Sequence, residues 1–152
     1  MNKLPHLHDG ALTVGEMFSG PGGIGLALNL AKSKSHCFKH LWATDYDQDT
    51  CDTYKNNVLN QFPEALSICK DIRELDLNKL PAVDGFLYGF PCNDFSLVGE
   101  SKGFNGKFGG LYTYGVSYIN KVNPLFFFAE NVSGLSSSNE GKAFKKILHD
   151  LN

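Results

Sequence analysis

"TVGEMFSGPGGIG", residues 13–25, joins a short apolar run to a cluster of glycines. The apolar run predicts a β-strand, and the glycines predict a tight turn into a helix. Gly20, Gly22 and Gly25 fit the spacing GxGxxG, in which glycine permits close approach of the backbone to a ligand. The N-terminus of the helix that follows favours an anionic group. The segment therefore predicts a nucleotide-like ligand, while a glycine turn without a ligand is the alternative.

The rest of the chain alternates between apolar runs and amphipathic stretches. Strands are predicted at residues 13–18, 41–45, 66–69, 85–90 and 125–130, and helices at 23–32, 47–60, 111–121 and 139–151. The polar stretch at 133–141 has the composition of a loop. This alternation predicts an α/β fold with a doubly wound, mostly parallel sheet. Because no strand follows the last helix, we expect the sheet to be truncated before its last strands.

The length and composition fit one globular domain without a basic surface. The chain has 152 residues, 42% of them hydrophobic, and a formal net charge of −2. Such a charge lacks the basic footprint of a self-sufficient nucleic-acid-binding protein. No apolar run approaches the ~20 residues of a membrane span and no secretory signal is visible, so we expect a cytoplasmic protein without membrane contact. The four cysteines are widely scattered, which predicts reduced thiols and no metal site.

Acidic residues follow the second and third predicted strands. Asp45 comes about 20 residues after the glycines, a spacing at which a carboxylate binds the ribose of a nucleotide. Tyr46 beside it could cover an adenine face. Asp71 lies just past the third strand, at the same carboxyl edge of a parallel sheet. We therefore predict an adenosine site, which S-adenosylmethionine and a nicotinamide cofactor would fill equally well.

A cysteine follows the fourth predicted strand, and a carboxyl group follows the fifth. Cys92 comes after Pro91 in the segment GFPCNDFS, so it is predicted at the carboxyl edge of the sheet. A thiol there can act as a nucleophile, although cysteine is more often a small buried hydrophobic residue. Glu130 ends a run of three phenylalanines, where a buried carboxyl is costly to ionise and suits a hydrogen-bond donor. A helix cap or a lysine partner is the alternative for Glu130.

Five segments of the chain resemble, in order, the catalytic half of the cytosine-5 DNA methyltransferase family. They are FSGPGGIG, DYD, KDI, GFPCNDFS and AENV, and the resemblance extends from residue 13 to residue 135. The Pro-Cys pair and the Glu-Asn-Val triplet are more specific signals than the glycine turn. The resemblance implies a Rossmann-like fold of the S-adenosylmethionine-dependent methyltransferase type, with S-adenosyl-L-methionine as the cofactor. It also implies double-stranded DNA as the substrate, as in restriction-modification systems.

The resemblance implies roles for individual residues. The positions that match cofactor-binding residues of the family are Phe18, Gly20, Gly22, Gly23, Asp45, Tyr46, Asp71 and Ile72. Pro91 and Cys92 match the nucleophile turn. Glu130 matches the acid that holds the target cytosine, and Asn131 follows it in the same catalytic motif. In the implied reaction Cys92 adds to carbon 6 of a flipped cytosine, Glu130 hydrogen-bonds the ring, and carbon 5 takes the methyl group.

The glycine-rich segment 96–112 resembles the mobile loop that closes over the flipped base in this family. Ser96 and Lys102 are candidate phosphate contacts in it, while a simple surface loop is the alternative. Two positions depart from the family pattern. Asn93 stands where many relatives have glutamine, and Phe108 stands where the loop usually carries arginine.

The segments that the family carries after the Glu-Asn-Val triplet do not appear in the sequence. We therefore expect residues 1–152 to form a partial catalytic, cofactor-binding domain, without the target-recognition region and the C-terminal closing segment. The chain would be a fragment of a longer enzyme, or one chain of an enzyme split between two polypeptides, with negligible activity by itself. A tRNA cytosine-5 methyltransferase, a non-catalytic binding subunit and a nicotinamide-dependent enzyme are the remaining alternatives.

Overall fold

The computed structural model describes residues 10–31, 37–91, 110–137 and 141–152. Its strands are β1 (Ala11–Met17), β2 (Cys37–Asp45), β3 (Leu66–Cys69), β4 (Gly85–Tyr88) and β5 (Phe126–Ala129). Its helices are α1 (Gly23–Leu30), α2 (Gln48–Asn57), α3 (Tyr112–Val122), α4 (Gly134–Ser137) and α5 (Lys142–Asp150). Short 3-10 turns lie at 59–61, 72–74 and 77–79. Each of the predicted strands is present.

The strands form one sheet in the order β3-β2-β1-β4-β5. β1 pairs in parallel with β2, and β2 pairs in parallel with β3. β2 and β3 follow β1 on one side of it, and β4 and β5 follow on the other side. A strand order that reverses in this way is the doubly wound arrangement. The predicted α/β fold with a mostly parallel sheet is confirmed.

Two helix boundaries differ from the sequence prediction because polar side chains bind the backbone. Asp47 was predicted inside the second helix, but it caps α2 from outside, accepting a hydrogen bond from Thr50 N at 2.9 Å. The predicted loop at 133–141 is wrong in part, since α4 begins at Gly134. The Ser136 hydroxyl donates to Ser133 O at 2.7 Å, so a serine-rich stretch satisfies its side chains within a helical turn.

The chain divides into two compact units, of which the first comprises Met1–Leu87 and Pro124–Phe128. Trp42 on β2 is fully buried in this unit. Its Nε1 donates a hydrogen bond to Pro81 O at 3.0 Å. Gly15 on β1 leaves the room that the indole occupies, because a Cβ atom at that position would overlap the ring. The largest side chain of this core is thus fitted against a residue that has none.

The second unit comprises Tyr88–Asn123 and Ala129–Asn152. Tyr112, the first residue of α3, is buried, and its hydroxyl donates to Asp150 Oδ2 at 2.6 Å. This hydrogen bond is the largest cause of the lowered pKa of Asp150, which falls to about 2. Ile147 of α5 is buried. The start of α3 and the end of α5 are therefore joined by a charge-assisted hydrogen bond.

β5 differs from the buried strand that its apolar sequence predicts. Phe127 is 39% exposed and Phe128 is 51% exposed. β5 is the outermost strand of the described sheet, so one of its edges has no neighbouring strand within the part of the chain that the structure describes. Large apolar side chains on an edge strand are unusual for a surface that faces water. β5 therefore exposes large apolar side chains, which lie on opposite faces of the strand.

We predict that Gly15→Ala destabilises the protein, because the added methyl group overlaps the fixed indole of Trp42. Overpacking of this kind costs about 1–3 kcal/mol. Urea denaturation monitored by tryptophan fluorescence measures the loss. Gly110→Ala is the matched control, since nothing lies within 4 Å of a Cβ atom at Gly110. Equal midpoints for the two variants would contradict the packing argument.

Candidate functional site

The turn that follows β1 has a strained backbone. Phe18 has φ 57°, Gly20 has φ 54° and Gly22 has φ 104°, all in the left-handed region. Glycine adopts this conformation without cost, but a phenylalanine does not. Strained non-glycine residues of this kind cluster at ligand sites. The positive φ of Phe18 is therefore a second observation, beside the glycine pattern, that points to a functional role for this turn.

The glycine turn has a packed side and an open side. A Cβ atom at Gly22 would lie 3.1 Å from Tyr54 Cδ2, and one at Gly25 would lie 2.5 Å from the Tyr54 hydroxyl. At Gly20 and Gly23 nothing lies within 4 Å of an added Cβ atom. One pair of glycines thus allows the turn to pack on the ring of Tyr54, while the other pair faces open space. A ligand of this turn must bind on the open side.

The carboxylate of Asp45, at the end of β2, is hydrogen-bonded to this turn. Its Oδ2 accepts a hydrogen bond from Gly20 N at 2.9 Å. Its Oδ1 accepts from Tyr46 N at 2.8 Å and from Asp47 N at 3.3 Å. A carboxylate offers about four acceptor positions, so capacity remains for a ligand hydroxyl. The sequence pattern predicted Asp45 as a ligand residue but not as the connection between the two loops.

The other predicted adenosine-binding residues also lie in the first unit. The Tyr46 side chain is 72% exposed. Asp71 accepts hydrogen bonds from Arg73 N at 3.0 Å and from Arg73 Nε at 2.9 Å. The side chain of Ile72 is buried, so only its backbone can meet a ligand. Its N–H is at the first position of a 3-10 turn, where helical hydrogen bonding does not use it.

A buried hydrogen-bonded network that the sequence analysis did not predict lies beneath the glycine turn. Glu16 and His40 are both buried, at 1% and 0% exposure. The Tyr54 hydroxyl donates to Glu16 Oε2 at 2.6 Å and lies 3.4 Å from His40 Nδ1. Burial raises the pKa of Glu16 to about 7 and lowers the pKa of His40 to about 4. The network therefore contains two groups that ionise reluctantly.

The predicted catalytic residues that the structure describes lie in the second unit. Glu130 N donates to Tyr88 O at 3.0 Å. The Glu130 carboxylate lies beside Gly89, where an added Cβ atom would be 3.3 Å from Oε2. Asn131 Nδ2 donates to Phe90 O at 2.7 Å. The Glu-Asn pair is thus held against the backbone that leads into Pro91.

Several residues predicted for the site lie outside the described residues. These are Cys92, Asn93, Ser96, Lys102 and Phe108. Glu130 itself is exposed, so the expected apolar surroundings of its carboxyl group are wrong for the described residues. Phe127 and Phe128, which precede it on β5, are exposed as well, so most of the phenylalanine run lies at the surface and does not bury the end of the strand.

An open cavity of about 300 Å³ lies within the second unit, next to Asn131. Its lining is mostly apolar and includes Phe90, Phe144, Ile147 and Leu148. Leu148 is 46% exposed, so this apolar lining reaches the surface of α5. The cavity therefore has the chemistry of a packing surface and not that of a polar ligand site.

Two classes of site find no support in the described ranges. No three His, Cys, Asp or Glu side chains there are grouped so that they could hold a metal ion. Among the helices that the structure describes, none has the length and apolar character needed to cross a membrane.

Comparison with known sequences identifies relatives over almost the whole chain. The model of the family "C-5 cytosine-specific DNA methylase" matches residues 12–152. The chain is 48% identical over 147 residues to the type II methyltransferase M.BbvI of Brevibacillus brevis, covering 90% of this chain and 39% of that protein. It is 33% identical over 137 residues to M.NgoFVII of Neisseria gonorrhoeae, covering 89% of this chain and 34% of that protein. The chain thus spans well under half the length of these relatives.

Comparison with solved structures identifies the same fold. The S. pombe Dnmt2 methyltransferase has a TM-score of 0.63 at 23% identity, covering 91% of this chain and 42% of that one. The Entamoeba histolytica methyltransferase EhMeth has a TM-score of 0.62 at 18% identity, covering 92% and 43%. The predicted Rossmann-like methyltransferase fold is confirmed.

We predict that Glu16→Gln changes how stability depends on pH. The folded pKa of Glu16, about 7, is above its ordinary value of 4.5. Its stabilising contribution is therefore complete below pH 4.5 and is lost as pH rises through 7. Glutamine has no such loss, so the variant should gain on the order of 2 kcal/mol relative to the natural protein between pH 5 and pH 8.

Urea denaturation at several pH values measures this difference. His40 works in the opposite sense, since its lowered pKa removes stability as pH falls through 4, and it is unchanged in the variant. Glu64→Gln, at an exposed position, is the control and should run parallel to the natural protein. Parallel curves for Glu16→Gln would show that Glu16 does not titrate as proposed.

Proposed function

Since the chain belongs to the C-5 cytosine-specific DNA methylase family, we propose that it forms the cofactor-binding and nucleophile-bearing part of an enzyme that methylates carbon 5 of cytosine in duplex DNA. The chain spans 39% of the length of M.BbvI, so we propose this activity for the whole enzyme and not for the chain by itself. The observation that supports it best is the hydrogen bond from Asn131 to Phe90 O. It ties the Glu-Asn motif to the backbone just before the Pro-Cys pair.

S-adenosylmethionine fits the open side of the glycine turn. Gly20 and Gly23 leave space there, and the spare acceptor capacity of Asp45 suits one ribose hydroxyl. The exposed ring of Tyr46 and the ring of Phe18 are available to the adenine face. We assign the adenine edge to the Asp71 carboxylate and the Ile72 backbone. The methyltransferase relatives favour this cofactor over a nicotinamide.

The reaction that we propose begins with the Cys92 thiolate. Its sulfur forms a bond to carbon 6 of the cytosine, which pushes electron density to carbon 5. Glu130 hydrogen-bonds the ring and stabilises the charge that develops on it. S-adenosylmethionine supplies an electrophilic methyl group when bound, and carbon 5 takes it. Loss of the carbon 5 proton and breakage of the sulfur–carbon bond then restore Cys92.

We propose that Asn131 is a positioning residue for the nucleophile. Its Nδ2 binds Phe90 O, and its Oδ1 accepts from Val132 N at 2.9 Å. An amide that is bonded at both ends has a fixed orientation, and it restricts the backbone to which Pro91 is attached. Pro91 adds a fixed φ angle to the same turn. Together they would limit the positions that the Cys92 sulfur can occupy.

The substrate that we propose is a cytosine flipped out of a DNA duplex, because attack on a ring face is impossible in stacked DNA. The net charge of −2 provides little attraction for phosphates, so a further polypeptide would supply most of the DNA-contacting surface. That polypeptide would correspond to the part of the relatives that this chain does not match. Whether it continues this chain or is a second chain, the exposed Phe127 and Phe128 of β5 are available to pack against it.

No observation on this chain favours the tRNA-modifying branch of the family. M.BbvI and M.NgoFVII are named as type II methyltransferases. Competition between tRNA and duplex DNA for the assembled enzyme separates the two substrates.

We predict that the chain binds S-adenosylhomocysteine and not NAD, and that Asp45→Asn weakens this binding. An asparagine retains one acceptor oxygen but loses the charge that the backbone amides and the ribose share. Loss of such hydrogen bonds costs about 1.5–3 kcal/mol, which is about 10- to 100-fold in affinity. Isothermal titration calorimetry measures both ligands.

The matched control is Asp76→Asn, because Asp76 also accepts a backbone hydrogen bond, from Asn78 N at 3.0 Å. It should bind S-adenosylhomocysteine like the natural protein. Equal or tighter binding of NAD would overturn the methyl-donor assignment.

We predict that the 152-residue chain alone transfers no tritiated methyl group to duplex DNA. Co-expression with a polypeptide that covers the unmatched part of M.BbvI should produce transfer, because it supplies the missing DNA contacts. Cys92→Ser should abolish this transfer, since serine is a far weaker nucleophile. Cys37→Ser, at an exposed cysteine, should retain it. Robust turnover by the purified chain would show that the chain needs no further polypeptide.

A further inference from the structure

Two cysteines that the proposed reaction does not use lie next to the end of β2. Cys51 in α2 donates from Sγ to Asp45 O at 3.6 Å, and Cys69 donates from Sγ to Tyr46 O at 3.8 Å. Cys69 ends β3, where it is directly opposite Asp45 in the parallel pairing with β2. Two sulfurs from distant points of the sequence therefore meet at one dipeptide of the proposed adenosine site.

The two thiols differ in their access to solvent. Cys69 is exposed, whereas Cys51 is 4% exposed. Burial is the largest cause of the raised pKa of Cys51, about 12, and the neighbouring Cys69 thiol is the next. A reagent in solution would therefore react with Cys69, while Cys51 is available only to a partner that is already beside it.

We propose that Cys51 and Cys69 are a reversible redox pair, which a low-molecular-weight disulfide such as glutathione disulfide closes to an intramolecular disulfide. The proposal rests on the juxtaposition of the two sulfurs at Asp45 and Tyr46. Only its effect on cofactor binding rests on the proposed function.

The exchange balances in two steps. The Cys69 thiolate attacks glutathione disulfide, forms a mixed disulfide and releases one glutathione thiolate. The Cys51 thiolate then attacks the Cys69 sulfur and expels the second glutathione thiolate. The protein thiols lose two electrons and two protons, and one glutathione disulfide becomes two molecules of glutathione. Because Cys51 ionises reluctantly, we expect the second step to be slow and to accelerate as pH rises.

Closure of the pair would disturb the cofactor site. A disulfide places its sulfurs about 2.0 Å apart, and neither sulfur retains a proton to donate. The hydrogen bonds from the thiols to Asp45 O and Tyr46 O are therefore lost. These two residues carry the carboxylate that holds the glycine turn and the ring assigned to adenine. Oxidation should therefore weaken cofactor binding.

Peptide mapping tests the pair directly. Trypsin cleaves after Lys39, Lys55 and Lys70, so Cys51 falls in peptide 40–55 and Cys69 in peptide 56–70, apart from the other cysteines. After treatment of the whole chain with glutathione disulfide, we expect these peptides to be linked, and dithiothreitol to separate them. Cys37→Ser should give the same linked pair, and Cys69→Ser should give none. Absence of the linked pair in the natural protein would overturn the proposal.

Calorimetry with S-adenosylhomocysteine tests the consequence. Oxidised protein should bind about tenfold more weakly than reduced protein, as the loss of one or two hydrogen bonds predicts, and dithiothreitol should restore the affinity. Cys69→Ser should bind equally well under both conditions. A linked pair without a change in affinity would refute the coupling to the cofactor site. Failure of the reduced chain to bind would count against the cofactor assignment, while the peptide map would still decide the redox pair.

Discussion

The carboxylate of Asp45 holds the first unit's loops in their arrangement. It accepts one hydrogen bond from a backbone amide of the glycine turn and two from backbone amides at the start of the loop after β2. Together with the hydrogen bond from Ser19 N to Thr44 O at 3.1 Å, it connects two segments that follow different strands, next to the left-handed backbone of Phe18. A residue that is read from the sequence as a ligand contact is thus also part of the framework. The proposed ligand contact and the order of the loops would be coupled, because one side chain would take part in both.

The fold was predictable because its signals are local. Apolar runs bounded by glycine, proline or aspartate predict the strands, and the spacing of Gly20, Gly22 and Gly25 predicts the turn. Gly25 and Gly22 meet Tyr54 closely, as close helix packing requires. What the sequence did not reveal depends on three-dimensional contact. The hydroxyl of Tyr54 reaches Glu16 across 38 positions, and no periodic pattern records that pairing.

The motifs single out candidate site residues but do not reveal the contacts that these residues make. The sequence motifs predict which residues take part, yet the contacts of Asn131 with Phe90 O and of Asp45 with Gly20 N join a side chain to a backbone atom. Backbone atoms are the same in every residue, so their partners leave no trace in composition. Burial was the other failure, since Glu130 follows three phenylalanines and is exposed all the same. An apolar run in the sequence predicts side chains that would be more stable when buried, but it does not show whether another part of the structure covers them.

The exposed phenylalanines of β5 also bear on how the protein is produced in a cell. Strand edges without a neighbouring strand, when they carry large apolar side chains, tend to pair with similar edges of other chains. Self-association of newly made chains therefore competes with correct assembly, and the outcome depends on timing and local concentration. If the further polypeptide proposed above is a separate chain, its synthesis close to this one would favour the productive encounter, whereas dilute or delayed supply would favour precipitation. In that arrangement the exposed side chains of one strand would place a requirement on gene expression.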